Sequence, residues 1–219
     1  MDEIPQNQKD RFRENLKDFN FISVREKTAV KLLNEIGIEN VEKVLDPVYL
    51  LDVAEWNKIT QKSTLRLENE KYILAYGFKQ QKDLYKYARK LANARNCKLY
   101  SINTNFEDKF LDVDKYFYNA TPYDFVNLVK NAQEVVTNSF HGLSFSIIYN
   151  KPVHQFKKNG TENSRMVDLL NELDLSERLV ISEELLTNQL NYDITETIIA
   201  KNKTKSIEFL QKGLMCNDR

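Results

Sequence analysis

The stretch Glu134-Val135-Val136-Thr137-Asn138-Ser139-Phe140-His141-Gly142 decides the fold. Its first four residues are a short, largely β-branched run of strand length. A turn and a helix start follow at once, and residues 142–149 carry the helix onward. Pro152-Val153-His154-Gln155-Phe156 is then the next strand. The first amides of a helix have no partners inside it and carry partial positive charge. A strand that feeds straight into a helix start therefore makes a corner suited to a phosphate or carboxylate.

Outward from this corner the chain alternates. Tyr72-Ile73-Leu74-Ala75-Tyr76 predicts a buried strand. Residues 82–95 predict a helix with Leu84, Tyr87, Ala88 and Leu91 on one face. Lys98-Leu99-Tyr100-Ser101-Ile102 is a further strand, and Thr121-Pro122 opens a helix over 121–131 with a cap and a proline at its first position. Helices over 165–173 and 195–214 close the chain. Strands spaced by helices in this way predict an α/β, Rossmann-like doubly wound parallel sheet, whose ligands lie at the carboxyl ends of the strands.

Upstream, residues 1–19 predict a weakly amphipathic helix. Phe21-Ile22-Ser23-Val24-Arg25 is a short strand, residues 27–36 a helix capped by Gly37, and residues 41–45 a second strand. This strand–helix–strand unit predicts a parallel pair. Residues 54–70 are polar and lack clear periodicity, so they are expected to be a linker.

Composition bounds the function. The 219 residues hold 32 Lys+Arg and 32 Asp+Glu, so no global basic field favours nucleic acid. Cys97 and Cys216 have no metal or disulfide spacing, and no metal site is expected. No apolar run approaches the about 20 residues that span a bilayer. The charged first 20 residues do not form a signal peptide. A cytoplasmic protein is expected.

Within the corner, Ser139 can cap the helix or donate its hydroxyl, and Gly142 permits close approach. His141 can donate a hydrogen bond, add charge when protonated, or act as general acid or base. An arbitrary histidine is more often structural; this one sits where an open parallel sheet places its ligand. His154 lies within a strand and is expected to be structural. Arg25 ends the strand 21–24 and can grip an anion through its planar fork, or simply pair with Glu26 or Asp46. Arg165 follows the polar loop 159–164 and begins a helix. Asp46 and Asp52 are possible acids, although an Asp before Pro47 is more often a turn residue.

These residues, in this order, resemble the polysaccharide pyruvyl transferase family. The matching pieces are Ser23-Val24-Arg25-Glu26-Lys27, Val44-Leu45-Asp46-Pro47 with Leu50-Leu51, and Tyr72-Ile73-Leu74-Ala75-Tyr76. The most specific is residues 135–142, followed by Phe145-Ser146-Ile147-Ile148 and Asn150-Lys151-Pro152. Asn163-Ser164-Arg165, Leu169-Leu170 and Leu175 with Arg178 complete the set.

The resemblance implies a GT-B-like fold of two Rossmann-like domains. It implies transfer of a pyruvyl group from phosphoenolpyruvate to sugar hydroxyls of a surface polysaccharide or exopolysaccharide, as a ketal. No cofactor is implied beyond that donor. His141 and Arg25 fall on donor-contacting, catalytic positions; Ser23, Asn138, Ser139, Phe140, Gly142 and Arg165 fall on substrate-binding ones. Many members carry Asp-Arg-Leu where this chain has Asn138-Ser139-Phe140, so an arginine is replaced at Ser139, and Arg165 is a candidate to supply its charge. Residues 1–65 are expected to be a remnant of an N-terminal domain with a linker, 66–190 a C-terminal donor-binding domain, and 191–219 a helix packing back across the domains. The chain is thus expected to be the C-terminal part of a longer enzyme. Expected partners are phosphoenolpyruvate and a sugar or lipid-linked oligosaccharide acceptor, with a homo-oligomer and a place at the inner membrane surface as further options. Two alternatives remain at this stage: a nucleotide-sugar-dependent GT-B glycosyltransferase, with Glu107 or Asp108 as a weakly placed ribose acid, and a non-catalytic remnant or binding module.

Overall fold

The structure, a computed structural model, describes residues 3–78, 81–102, 111–158, 163–187 and 190–215. The chain forms two compact units that do not follow chain order. The first comprises Met1–Leu50, Gly160–Asp174 and Asp193–Arg219; the second comprises Leu51–Asn159 and Leu175–Tyr192. Residues 51–65 thus fold with the second unit, and residues 160–174, expected within the 66–190 region, fold with the first.

In the first unit, α1 (Lys9–Leu16), β1 (Ile22–Val24), α2 (Lys27–Glu35) and β2 (Val41–Lys43) follow one another. β1 and β2 pair in parallel, as the strand–helix–strand pattern predicts. Leu33, Ile36 and Ile38 bury with Ile4, and Phe12 and Leu16 of α1 pack against them. Gly37 takes φ +79°, which ends α2 in a conformation that other residues adopt at a cost. α7 (Ser164–Glu172) joins this unit through Asp168, whose carboxylate accepts from Thr28 N at 3.2 Å and Thr28 Oγ1 at 3.0 Å. α8 (Asp193–Met215) joins it through Ser206, whose Oγ accepts from Leu45 N at 2.9 Å.

The second unit is the doubly wound sheet. It contains α3 (Val53–Thr60), β3 (Tyr72–Tyr76), α4 (Lys82–Ala94), β4 (Lys98–Ile102), β5 (Lys115–Phe117), α5 (Pro122–Asn131), β6 (Glu134–Thr137), α6 (Phe140–Ile148) and β7 (Val153–Gln155). The five strands are all parallel, in the order β5-β4-β3-β6-β7. α4 covers one face, where Leu84, Tyr87, Ala88 and Leu91 bury against Ile73, Ala75, Leu99 and Val136. Each such leucine contributes about 2 kcal/mol by leaving water.

One expectation needs correction. Residues 54–70 do not form a structureless linker: Asp52 Oδ1 accepts from Glu55 N at 2.9 Å and caps α3. Trp56 then packs edge-on against Phe145, ring centroids 4.7 Å apart. The absence of a clear stripe in so short a helix hid it. β5 was not foreseen, because three residues of a sheet-edge strand carry too little pattern.

Candidate functional site

The strand order places the change of winding direction between β3 and β6. β3 leads to α4 and β6 to α6, so their carboxyl ends bound the crevice where such sheets bind ligands. The Asn138–Gly142 corner is at this point.

The corner is built from the strand end outward. Thr137 Oγ1 donates to Tyr76 O at 2.6 Å, across the β3–β6 pair, and accepts from Ser139 N at 3.0 Å. Ser139 is the N-cap of α6; its Oγ accepts from Gly142 N at 3.3 Å. Asn138 is fully buried and ties the two sides of the crevice together. Its Oδ1 accepts from Phe78 N at 2.8 Å, and its Nδ2 donates to Phe78 O at 3.0 Å and Gln81 Oε1 at 2.7 Å. The geometry gives Asn138 and Ser139 framework tasks, Asn138 as a staple and Ser139 as a cap. Phe140 is buried, and its ring meets that of His141 edge-on at 5.6 Å. His141 itself is exposed.

The charge of the helix starts separates α6 from its neighbours. α3, α4 and α5 carry Glu55, Asp83 and Asp124 in their first turns, each able to offset the positive helix end. α6 has no acidic residue there, the only described helix of this unit so arranged. Its positive end faces the crevice with a histidine at the second helical position.

In the first unit the other candidates come together. Arg25 Nη1 forms an ion pair with Asp46 Oδ2. Arg165 lies 3.0 Å from Glu26 Oε1 through Nε and 3.6 Å from Asp46 Oδ2 through Nη2. The buried Asp46 is thus shared by two guanidinium groups. It also accepts from Val48 N through Oδ1 at 3.2 Å, so it is a turn residue as well. Burial, then the charge of Arg25, pull the Arg165 guanidinium below its ordinary value, while Glu26 and Asp46 oppose the shift. Ser23, Arg25 and Leu45 line a cavity of about 280 Å³ with Ser206 and Leu210 of α8. Arg25 therefore makes the carboxylate pairing that its position allowed, and it keeps an exposed flank beside a cavity.

His154 is almost wholly buried in a chain of hydrogen bonds. Leu186 N donates to Tyr87 Oη at 3.0 Å, and Tyr87 Oη lies 2.8 Å from His154 Nδ1. His154 Nε2 is 2.8 Å from Glu134 Oε2, and Arg95 Nε donates to Glu134 Oε1 at 2.5 Å. Glu107, Asp108 and Cys216 lie outside the described residues. Among the described residues there is no cluster of three metal-ligand side chains, and no helix is long and apolar enough to cross a membrane.

The sequence model of the family described as polysaccharide pyruvyl transferase matches residues 2–154. The chain belongs to the polysaccharide pyruvyl transferase family. The match contains both β1 with Arg25 and the β6–α6 corner with His141. A comparison with curated proteins gave no match. Among solved structures, the chain is similar to UDP-N-acetylglucosamine 2-epimerase from Rickettsia bellii, with a TM-score of 0.50 at 14% identity. That likeness covers 89% of this chain and 54% of the other, so the chain spans about half the length of this neighbour. At such identity the likeness speaks for the fold, and the α/β parallel architecture of this pyruvyl transferase family member agrees with it.

A signal that sequence patterns did not convey is Thr137. Only the folded chain shows its hydroxyl joining Tyr76 to the start of α6. A second is the aromatic run Tyr116-Phe117-Tyr118, which the structure places at the end of β5.

Proposed function

We propose that the protein transfers a pyruvyl group from phosphoenolpyruvate to a pair of sugar hydroxyls of a polysaccharide or lipid-linked oligosaccharide, with the α6 corner holding the donor. The carrying observation is the start of α6: a positive helix end at the switch point, with no carboxylate in its first turn and with exposed His141. Family membership supports the reaction class.

In this reaction the donor's methylene carbon takes a proton and becomes a methyl group. The adjacent carbon becomes electron-poor, a sugar hydroxyl bonds to it, and its bond to the phosphate oxygen breaks. A second hydroxyl of the same sugar closes the ketal. The two hydroxyls lose two protons, of which one balances the methylene protonation and one leaves with phosphate. The leaving phosphate gains charge, so a positive helix end and a protonated His141 stabilise it most at the transition state. His141 is the proton donor or the phosphate partner. In the first unit, Arg25 and Arg165 share Asp46, and their planar guanidinium forks have the chemistry to grip a carboxylate or phosphate. The larger enzyme of which this chain would be the C-terminal part is a further element of the proposal.

The test is direct. Phosphoenolpyruvate binding is followed by ³¹P NMR on the full chain, and phosphate release is assayed with methyl pyranosides as acceptors. Perturbed donor resonances that His141→Ala abolishes are expected. Donor binding unchanged by His141→Ala would remove the histidine from the site.

A further inference from the structure

At the same end of the sheet as the corner lies a cavity that shares no lining residue with residues 138–142. It measures about 460 Å³, within the about 300–1,000 Å³ usual for small-molecule sites. Its walls are the rings of Tyr76, Tyr118 and Phe125, closed by Ile102 and by residues 120–122 at the start of α5. It opens at the carboxyl ends of β3 and β4, the same end of the sheet as the corner.

The lining is aromatic and carries no charged side chain. Tyr76 and Phe125 have centroids 5.1 Å apart at 60°, and Phe125 is backed in turn by Phe145 at 5.7 Å. Tyr118 is half exposed, yet it is held by stacking on Tyr116, 5.6 Å away at 23°. The Tyr76 hydroxyl makes no hydrogen bond among the described residues, and partial burial pushes its ionisation up. Hence it is a neutral donor and acceptor at the cavity wall.

An anion is disfavoured here. α5 starts at this wall, but its positive end already carries its own carboxylate. Asp124 accepts from Thr121 N at 3.0 Å and Thr121 Oγ1 at 2.7 Å, and from Ser63 Oγ at 2.6 Å. The acceptor capacity of Asp124 is largely taken, so it does not demand a cation either. What such a cavity offers is ring faces, negative at the centre, and the neutral hydroxyls of Tyr76 and Tyr118. That suits the polarised C–H face of an uncharged pyranose ring, with a sugar hydroxyl reaching Tyr76.

We infer that the Tyr76–Tyr118–Phe125 cavity is the sugar subsite that receives a pyranose ring of the acceptor. This rests on the pyruvyl-transfer reading for the word acceptor, though not for the binding itself. Its position is fixed relative to the corner: Tyr76 is paired with Thr137 in the β3–β6 register, and the Thr137 hydroxyl joins the Tyr76 carbonyl to the first residue of the α6 cap. The two subsites are therefore one strand apart on one rigid frame.

Saturation-transfer NMR on the full chain tests it, with methyl β-D-glucopyranoside, methyl β-D-galactopyranoside and methyl α-D-mannopyranoside as probes, and uridine and inorganic phosphate as controls. At least one pyranoside should receive saturation through its ring protons. Tyr118→Ala should weaken that binding about tenfold, Tyr118→Trp should retain it, and Tyr76→Phe should weaken it about threefold. Phosphoenolpyruvate binding, read by ³¹P NMR, should be unchanged in Tyr118→Ala. Absence of transfer to all three pyranosides, transfer unaltered by Tyr118→Ala, or displacement of the sugar by uridine at lower concentration would each overturn the assignment. Pyranoside binding that Tyr118→Ala removes, in a protein showing no phosphoenolpyruvate binding, would uphold the sugar subsite while the pyruvyl reading failed.

Discussion

Thr137 and Gly142 are in contact so close that a Cβ added to Gly142 would stand 2.4 Å from Thr137 Oγ1 and 3.0 Å from its Cβ. The same Thr137 hydroxyl bonds Tyr76 O and Ser139 N. The start of α6 is thereby drawn down onto the strand that feeds it, and Gly142 is required for want of space rather than for its backbone angles. Gly142→Ala must move the threonine or lift the helix. It should destabilise the chain by about 2 kcal/mol, the usual size of an overpacking cost, and reduce phosphoenolpyruvate binding with it. The pair of measurements is urea denaturation and ³¹P titration; full stability in Gly142→Ala would refute the contact.

Asn138 spans the crevice between the β3 and β6 loops with three hydrogen bonds. Asn138→Ala leaves the half-buried Phe78 amide and carbonyl without this partner, at a cost of about 1–2 kcal/mol. Because the Phe78 loop then loosens, hydrogen exchange should quicken at Phe78 while the core amides of Leu74 keep their protection. A uniform increase in exchange would mean that Asn138 acts on the global fold alone.

His141 is exposed, so its replacement should leave stability within about 0.5 kcal/mol, as for most surface positions. Loss of a positioned proton donor costs about 10²–10⁴ in rate. His141→Gln retains a hydrogen-bond donor without the titration. It should therefore recover part of the phosphoenolpyruvate binding lost in His141→Ala and little of the turnover. Equal turnover in His141→Gln and the unaltered protein would rule out proton transfer by this residue.

Glu134 governs an acid transition. Burial works to raise its carboxyl, but hydrogen bonds and charge from His154 and Arg95 outweigh burial and hold it below the ordinary value. A carboxylate depressed in the folded state contributes stability that is full above its unfolded value, near pH 4.3, and is lost as pH falls through the lower folded value. The protein should lose stability over that acid range. Glu134→Gln should be less stable near neutral pH, since His154 and Arg95 lose a charged partner, and its stability should fall less steeply below about pH 4. Parallel curves of urea midpoint against pH for the two proteins would contradict this.

Much of the fold was legible because its parts are local. The β-branched run of β6, the stripe Leu84, Tyr87, Ala88 and Leu91 on α4 and the Thr121-Pro122 start of α5 are each set by neighbours a few residues away. α5 indeed begins with a full capping box between Thr121 and Asp124. α3 was less legible, for its Trp56 finds its partner Phe145 about 90 residues along the chain. In the site, a histidine at a helix start after a strand was visible as a motif, whereas the staple by Asn138 and the hub at Thr137 depend on residues 57 to 61 positions distant.

By itself the sequence determined the element order, the parallel sheet, the corner at residues 138–142 and the family, since hydrophobic periodicity, caps and motif spacing are all short-range properties. Only the tertiary structure decided which polar groups hold the frame and which are left exposed at the corner. It assigned Asn138 to the crevice, Ser139 to the cap and Asp46 to two arginines, and it gathered Tyr76, Tyr118 and Phe125 around one cavity. The physical reason is that a hydroxyl, an amide or a carboxylate has the same chemistry in a core as at a site, and only long-range packing settles which partner satisfies it.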